Sequence, residues 1–150
     1  MTLLVPFDNT PLSRAALEKA TAFGDYRDES VLALTVIPDD VDYALERGWL
    51  YDHEAFDTDT IADRLEERVA SISPAASFRS TVVNSDEPTA TTTTMVVSEI
   101  RRTAAEEGVS VIFVGTENAG GVTTPLSSVG GPVATDSQSK YDVYIVRHAE

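Results

Sequence analysis

The sequence predicts an α/β fold, namely a doubly wound, five-stranded parallel sheet with helices on both faces. The first observation is that short apolar runs alternate along the chain with segments of helical periodicity. The second is that the runs at residues 2–6, 31–37 and 109–114 are almost wholly apolar, as in strands that are covered on both faces. The third is a rule of topology: right-handed crossovers between parallel strands place the connecting helices on both sides of the sheet.

Each predicted element follows from an apolar pattern and from the residues that bound it. The predicted strands are the apolar runs at residues 2–6, 31–37, 78–83, 109–114 and 142–147. The predicted helices are residues 11–23, 60–71, 89–107 and about 128–137. Thr10 or Asn9 caps the first helix, Gly24 ends it, and Gly108 ends the third helix. Residues 39–58 are predicted to be the least regular part of the chain.

Length and composition indicate a single domain, residues 1–150, in the cytoplasm. The chain has 150 residues, of which 42% are hydrophobic, and this is enough to form one core. No apolar stretch approaches the roughly 20 residues of a membrane span, and the N-terminal residues lack the pattern of a signal peptide. The sequence has no cysteine, which excludes disulfides, thiolate metal sites and cysteine nucleophiles.

The charge of the chain is strongly negative. There are 25 Asp and Glu residues against 11 Lys and Arg, which gives a formal net charge of −14. Salt at about 1 M shortens the Debye length to about 3 Å and screens such repulsion, so the composition predicts a halophilic protein. The alternative is an ordinary acidic protein from a mesophile. Nucleic acid and anionic membranes are not expected as partners, because no basic patch exists to bind their phosphates.

Residues 115–131, GTENAGGVTTPLSSVGG, follow the fourth predicted strand and contain five of the eight glycines. Ligands of doubly wound sheets bind at the carboxyl ends of the strands, so this segment is a candidate binding loop. It has no Lys, Arg or His, and Glu117 is its only charge. Gly121 and Val122 stand where a P-loop requires lysine and a hydroxyl, so the segment is not a P-loop. The dinucleotide-binding and nucleophile-elbow glycine motifs are absent as well.

Several segments, in their order and spacing, resemble the universal stress protein family. They are VPFDNTPLSRAALEKATAF at the start, VLALTVIPD at the second strand, SDEPTA before the third helix, VIFVGTEN at the fourth strand and DVYIVR at the end. Together they extend over nearly the whole chain. The resemblance implies a Rossmann-like fold of the adenine nucleotide alpha hydrolase-like type. The acidic composition is that of a haloarchaeal-type member.

The resemblance also implies a nucleotide site, with ATP and Mg²⁺ as the candidate cofactors. Members that bind ATP have G-x-x-G, nine residues and G-S/T after the fourth strand. Gly115 matches the first glycine, whereas Asn118 and Ser127 stand in place of later ones. The loop is thus degenerate, and two alternatives remain: weak or altered nucleotide binding, or a loop that has lost tight ATP binding. The implied binding residues are Pro6, Asp8, Val36, Ile37, Gly115, Thr116, Asn118, Ser127, Ser128 and Val129.

Three of these residues have alternative roles. Asp8 lies near the ribose or the metal in the family, but it could instead cap the following helix. Val36 and Ile37 would flank an adenine, or else belong only to the core.

The acidic cluster that includes His53, Glu54 and Asp57 is interpreted as a solvated face and not as a metal site. Trp49, with its neighbouring aromatic residues Tyr51 and Phe56, could belong to the core, a lid or an interface.

The closing strand, from Asp142 to Arg147, is predicted to lie at an edge of the sheet. Exposed apolar edges tend to pair, and family members commonly pair this strand across a two-fold axis, so the resemblance implies a homodimer. The first functional hypothesis is therefore a dimeric stress-response module that binds a small nucleotide or anion, with no catalytic residue. The alternatives are an enzyme of the same fold group that uses ATP, and a ligand-free interaction module.

Overall fold

The computed structural model describes residues 2–84, 92–115 and 141–149. The strands are β1 (Thr2–Pro6), β2 (Ser30–Pro38), β3 (Ser77–Val83), β4 (Val109–Gly115) and β5 (Asp142–Val146). The helices in these residues are α1 (Pro11–Arg27), α2 (Val41–Glu46), α3 (Thr58–Ile72) and α4 (Thr92–Glu106). The predicted α/β fold is confirmed. The predicted helix at about residues 128–137 lies outside the described residues.

All five strands pair in parallel, in the order β3-β2-β1-β4-β5. The chain moves outward from β1 to β2 and β3, and then crosses back to place β4 on the other side of β1. The direction of winding therefore reverses between β1 and β4. Such a switch point leaves a crevice at the carboxyl ends of the strands, where the loops on either side diverge.

Two hydrophobic clusters cover the two faces of the sheet. One contains Leu3, Val5 and Ile37 from the strands and packs against α1 and α3. The other contains Leu4 and Val36 and packs against α4. Successive side chains of a strand point to opposite faces, which is why neighbours in sequence belong to different clusters. Both faces of the central strands β1, β2 and β4 are thus largely buried, as the apolar runs predicted, whereas the edge strands β3 and β5 are partly exposed.

Helix α1 begins as predicted and ends later than predicted. Thr10 is the N-cap, since its side chain accepts a hydrogen bond from the Ser13 amide. Gly24 does not end the helix, which continues to Arg27 and is closed by Asp28 in the left-handed conformation, with φ of 58°. Gly24 is instead a packing residue: a Cβ atom there would lie 2.7 Å from the Glu29 carbonyl oxygen.

Because of this close contact, replacing Gly24 with alanine should have the opposite effect on stability from the usual one in a helix. Alanine normally stabilises a helix interior over glycine by about 1 kcal/mol, but Gly24→Ala is expected to lower the free energy of unfolding by about 1–2 kcal/mol, because the new methyl group overpacks the site. Denaturant unfolding measures this effect. The control is Ala22→Gly at an exposed position of the same helix, which should destabilise by about 1 kcal/mol through propensity alone. A stabilising effect of Gly24→Ala would contradict the packing role.

Residues 39–58 are more regular than predicted. Asp40 caps the short helix α2, and its side chain accepts a hydrogen bond from the Tyr43 amide. Gly48, with φ of 72°, turns the chain after α2. Asp57 then caps α3, which begins at Thr58 and not at residue 60. The pattern was missed because a six-residue helix spans fewer than two turns and shows little periodicity.

The remaining boundaries lie close to the predicted ones. Helix α4 is described from Thr92, since residues 85–91 lie outside the described part, and Gly108 follows it with φ of 60°. Strand β5 lies at an edge of the sheet and ends at Val146, one residue earlier than predicted. Among the described residues, no helix has the length and apolar character needed to cross a bilayer.

Candidate functional site

The candidate site lies at the carboxyl ends of β1, β2 and β4. These strands are neighbours in the sheet, with β1 between the other two. Pro6 ends β1, Val36 lies near the end of β2, and Gly115 ends β4. Of the predicted binding residues, the structure thus brings Pro6, Asp8, Val36 and Gly115 to one edge of the sheet, at the switch point.

A small cavity of about 20 Å³ lies between the ends of β1 and β2, helix α2 and helix α4. This volume holds about one water molecule. The cavity is lined by Pro6, Phe7, Asp8, Leu34, Val36, Tyr43, Val96 and Ile100. Three predicted residues are in this set. Ile37 is not, because its side chain is fully buried on the opposite face of the sheet.

Five lining residues were not predicted from the sequence. Leu34 shares the face of Val36 because it lies two positions away on the same strand. Val96 and Ile100 lie four residues apart, on one face of α4. These spacings were visible in the sequence, but nothing in it showed that α4 covers this edge of β2. Tyr43 was not predicted to line the site because it lies in residues 39–58, which were predicted to be irregular.

Asp8 is held through its side chain and through its backbone carbonyl. Its Oδ1 atom accepts hydrogen bonds from the Thr10 hydroxyl (2.6 Å) and the Thr10 amide (3.1 Å). Its backbone carbonyl accepts a hydrogen bond from the indole N–H of Trp49 (3.0 Å). The predicted helix-capping role is therefore present in an indirect form, since Asp8 orients the Thr10 cap of α1. The Oδ2 atom points elsewhere, toward Arg47 at 3.7 Å.

Arg47 is a functional candidate that sequence reasoning missed. Its guanidinium lies over the Tyr43 ring, 3.5 Å from the ring centroid, and forms an ion pair with Asp8. The glycine-rich segment itself contains no Lys, Arg or His. The fold, however, places this arginine beside Asp8, at the edge of the sheet where β4 enters that segment. No local motif indicated this, because Arg47 and Asp8 are far apart in sequence.

Gly115 has a packing role that is independent of any ligand. A Cβ atom at this position would lie 2.8 Å from the Leu12 Cβ and 3.4 Å from the Leu12 Cδ1. The first turn of α1 therefore contacts the last residue of β4 so closely that only glycine fits. The other predicted loop residues, Thr116, Asn118, Ser127, Ser128 and Val129, lie outside the described residues.

Arg64 contacts several residues of the connection between α2 and α3 and holds it in place. Its guanidinium forms a two-point contact with the Glu54 carboxylate, donates to the Trp49 carbonyl (3.1 Å) and lies over the Tyr51 ring. Trp49 is 4% exposed and belongs to the core, whereas Tyr51 is 69% exposed. Within the acidic cluster, Glu54 is thus paired with arginine.

The Glu54–Arg64 pair predicts a specific pH dependence. The hydrogen bond from Arg64, assisted by the Tyr51 amide, lowers the pKa of Glu54 from 4.5 to about 2. A lowered pKa in the folded state stabilises the protein above the unfolded value, and this stabilisation is lost as the pH falls through the folded value. The difference in unfolding free energy between wild type and Glu54→Gln should be constant above about pH 4.5 and shrink toward pH 2. Chemical denaturation at each pH measures it, and a difference that does not change with pH would contradict the pairing.

Comparison with known proteins identifies the relatives of this chain. The family model described as "Universal stress protein family" matches residues 1–147. Comparison with curated proteins gives no match. Among solved structures, a universal stress protein in complex with cAMP has 20% identity and a TM-score of 0.56, with 100% of this chain and 98% of that chain covered.

Two further structures extend this similarity. The universal stress protein from Archaeoglobus fulgidus in complex with dAMP has 14% identity and a TM-score of 0.57, with 97% and 96% of the two chains covered. UspA from Lactobacillus plantarum has 19% identity and a TM-score of 0.53, with 98% and 97% covered. These likenesses support the fold, and the family model covers almost every residue. The chain therefore belongs to the universal stress protein family.

Proposed function

We propose that the protein is a regulatory module that binds an adenine nucleotide at the carboxyl ends of β1, β2 and β4. The observation that carries this proposal is the cavity beneath Asp8, between the ends of β1 and β2 and next to the switch point between β1 and β4. Nucleotides bind at this position in other doubly wound sheets. Two solved structures of similar fold are described as complexes with cAMP and dAMP, which supports the same ligand class here.

The residues that line the cavity suggest which part of the nucleotide each of them would contact. Val36, Leu34 and Ile100 form an apolar wall suited to a base, while the Asp8 carboxylate suits a ribose hydroxyl. The phosphates would then extend toward Gly115 and the segment that contains Thr116, Asn118, Ser127, Ser128 and Val129. If the ligand is ATP, Mg²⁺ would neutralise part of its charge. A cavity of about 20 Å³ holds one water molecule and not a base, so binding requires the residues that line it to move apart.

The test is a titration with ATP, AMP and adenosine, with Mg²⁺ and in multimolar salt. Trp49 is the only tryptophan and its indole contacts Asp8, so its fluorescence reports on the site without a label. We expect saturable binding of nucleotide without release of phosphate or pyrophosphate. Release of either product would favour the ATP-using enzyme, and no binding of any of the three ligands would contradict the proposal.

Asp8→Ala tests where the ligand binds. Loss of a charged hydrogen-bonding group is expected to weaken nucleotide binding by about tenfold or more. Asp25→Ala removes the same charge from an exposed position of α1 and should leave the affinity unchanged. Circular dichroism checks that each variant is folded, since Asp8 also supports the α1 cap. Equal affinities of wild type and Asp8→Ala would place the site elsewhere.

The proposed function also concerns the oligomeric state of the protein and the compartment in which it acts. We infer a single cytoplasmic domain, adapted to high salt, that forms a homodimer through β5. The position of β5 at an edge of the sheet and the exposure of Tyr144, at 44%, support this pairing. Light scattering in high salt should give twice the mass of 16.2 kDa. A mass of one chain would exclude the dimer.

A further inference from the structure

The Arg47 guanidinium lies beside the proposed nucleotide site with its hydrogen-bonding capacity unused. Its Nε atom is buried and has no hydrogen-bond partner, and none of its guanidinium nitrogens donates to a described residue. The nearest carboxylate oxygen, Asp8 Oδ2, lies 3.7 Å away, beyond the 2.7–3.2 Å of a hydrogen bond. The side chain is only 26% exposed. A buried donor without an acceptor is costly, so the Nε–H group calls for a further partner.

The guanidinium is held in place by a rigid set of contacts. The Tyr43 ring supports one face of it, and the Tyr43 ring also meets the Trp49 ring edge to face at 5.6 Å. The Trp49 indole in turn donates to the Asp8 carbonyl. These contacts hold helix α2 against the end of β1, and they place Arg47 beside Asp8 and Tyr43, two residues that line the cavity.

Charge complementarity indicates what this partner is. The whole chain has a net charge of −14, and residues 115–131 contain no basic side chain. A phosphate at this edge of the sheet would thus meet the Asp8 carboxylate, and the glycine-rich segment supplies no basic side chain to compensate it. The forked guanidinium of arginine matches the oxygens of a phosphate and is positively charged at any physiological pH.

We propose that Arg47 binds the phosphate group next to the ribose, while any further phosphates extend toward Gly115. When a phosphorylated nucleotide binds, the guanidinium exchanges its distant contact with Asp8 for hydrogen bonds to phosphate oxygens, and Asp8 Oδ2 becomes available to the ribose. A nucleoside without phosphate has to break the same ion pair without replacing it. The site therefore selects nucleotides over nucleosides. This inference depends on the proposed function, since it concerns the same site.

The test compares the affinities for AMP and adenosine in wild type, Arg47→Gln and Arg47→Lys. Arg47→Gln should lower the ratio of AMP affinity to adenosine affinity by about tenfold or more, because the charged hydrogen bonds to phosphate are lost. Arg47→Lys, which keeps the charge and loses the fork, should fall between the two. Arg27→Gln, which removes the same charge at the opposite edge of the sheet, just before β2, should keep the wild-type ratio.

The outcomes separate this inference from the proposed function. If wild type binds both ligands and the ratio is the same in Arg47→Gln, Arg47 does not bind phosphate, while the nucleotide site stands. An equal loss of both affinities means that Arg47 only supports Tyr43, and it also overturns the inference. If wild type binds neither ligand, both proposals fail. Arg47→Lys provides the same comparison of ratios should Arg47→Gln be unfolded by circular dichroism.

Discussion

Replacing Trp49 with alanine is expected to lower the free energy of unfolding by about 3–5 kcal/mol, the usual cost of removing a buried aromatic side chain. The indole is 4% exposed, packs against the Tyr43 ring and donates a hydrogen bond to the Asp8 carbonyl. Its loss would leave a cavity between α2 and the core and would remove the hydrogen bond to Asp8, just after the end of β1. Urea denaturation followed by circular dichroism measures the change, since the variant has no tryptophan left to report.

Two controls identify the source of this effect. Trp49→Phe keeps most of the ring but leaves the Asp8 carbonyl without its donor, which should cost about 1–3 kcal/mol. Tyr26→Ala removes an aromatic residue that is 89% exposed, and its effect should lie within about 0.5 kcal/mol of zero. A loss for Trp49→Ala no greater than that for Tyr26→Ala would show that the segment after α2 does not belong to the core.

Gly115→Val is expected to destabilise the protein by about 3 kcal/mol or more, at the upper end of overpacking effects. The valine Cβ would lie 2.8 Å from the Leu12 Cβ, and both atoms belong to elements that the core holds in place. Neither β4 nor the first turn of α1 can move away without disturbing its other contacts. Thermal and chemical unfolding both measure the effect, and a stability equal to wild type would contradict the close approach.

A double-mutant cycle assigns this strain to one contact. Gly115→Ala should be rescued in part by Leu12→Gly, because that change removes the Cβ atom in conflict. Leu12→Ala keeps the Cβ and should rescue it less. In the cycle that combines Gly115→Ala with Leu12→Gly, the coupling energy between the two sites is expected to be about 1–3 kcal/mol. If the two cycles give the same coupling, the strain does not come from the Leu12 Cβ.

This packing role changes how binding data on Gly115 have to be interpreted. The family resemblance predicts that Gly115→Val weakens nucleotide binding, but the structure gives that residue a second function. A weakened affinity has to be compared with the loss of stability before it is attributed to the ligand. Asp8 and Arg47 are better probes of the site, because Asp8 lines the cavity, Arg47 contacts Asp8, and both side chains are partly exposed and not part of the core.

Most of the fold could be predicted because its signals are local. The strands and the helices α1 and α3 follow from apolar periodicity, and Thr10 follows from the chemistry of a cap. Gly24 misled the prediction because glycine ends many helices, whereas here it allows α1 to contact the Glu29 carbonyl. Helix α2 was missed because six residues are too few to show a helical period.

The sequence by itself determined the α/β architecture, the acidic surface and membership of the family, through patterns that extend over a few residues or over the whole chain. Only the tertiary structure decided which side chains meet at the site. Ile37 turned away from the cavity and Val36 toward it because neighbours on a strand face opposite sides. Arg47 came to Asp8 because α2 folds back over the end of β1, held by Trp49. Contacts of this kind depend on where distant elements pack, and no local pattern encodes them.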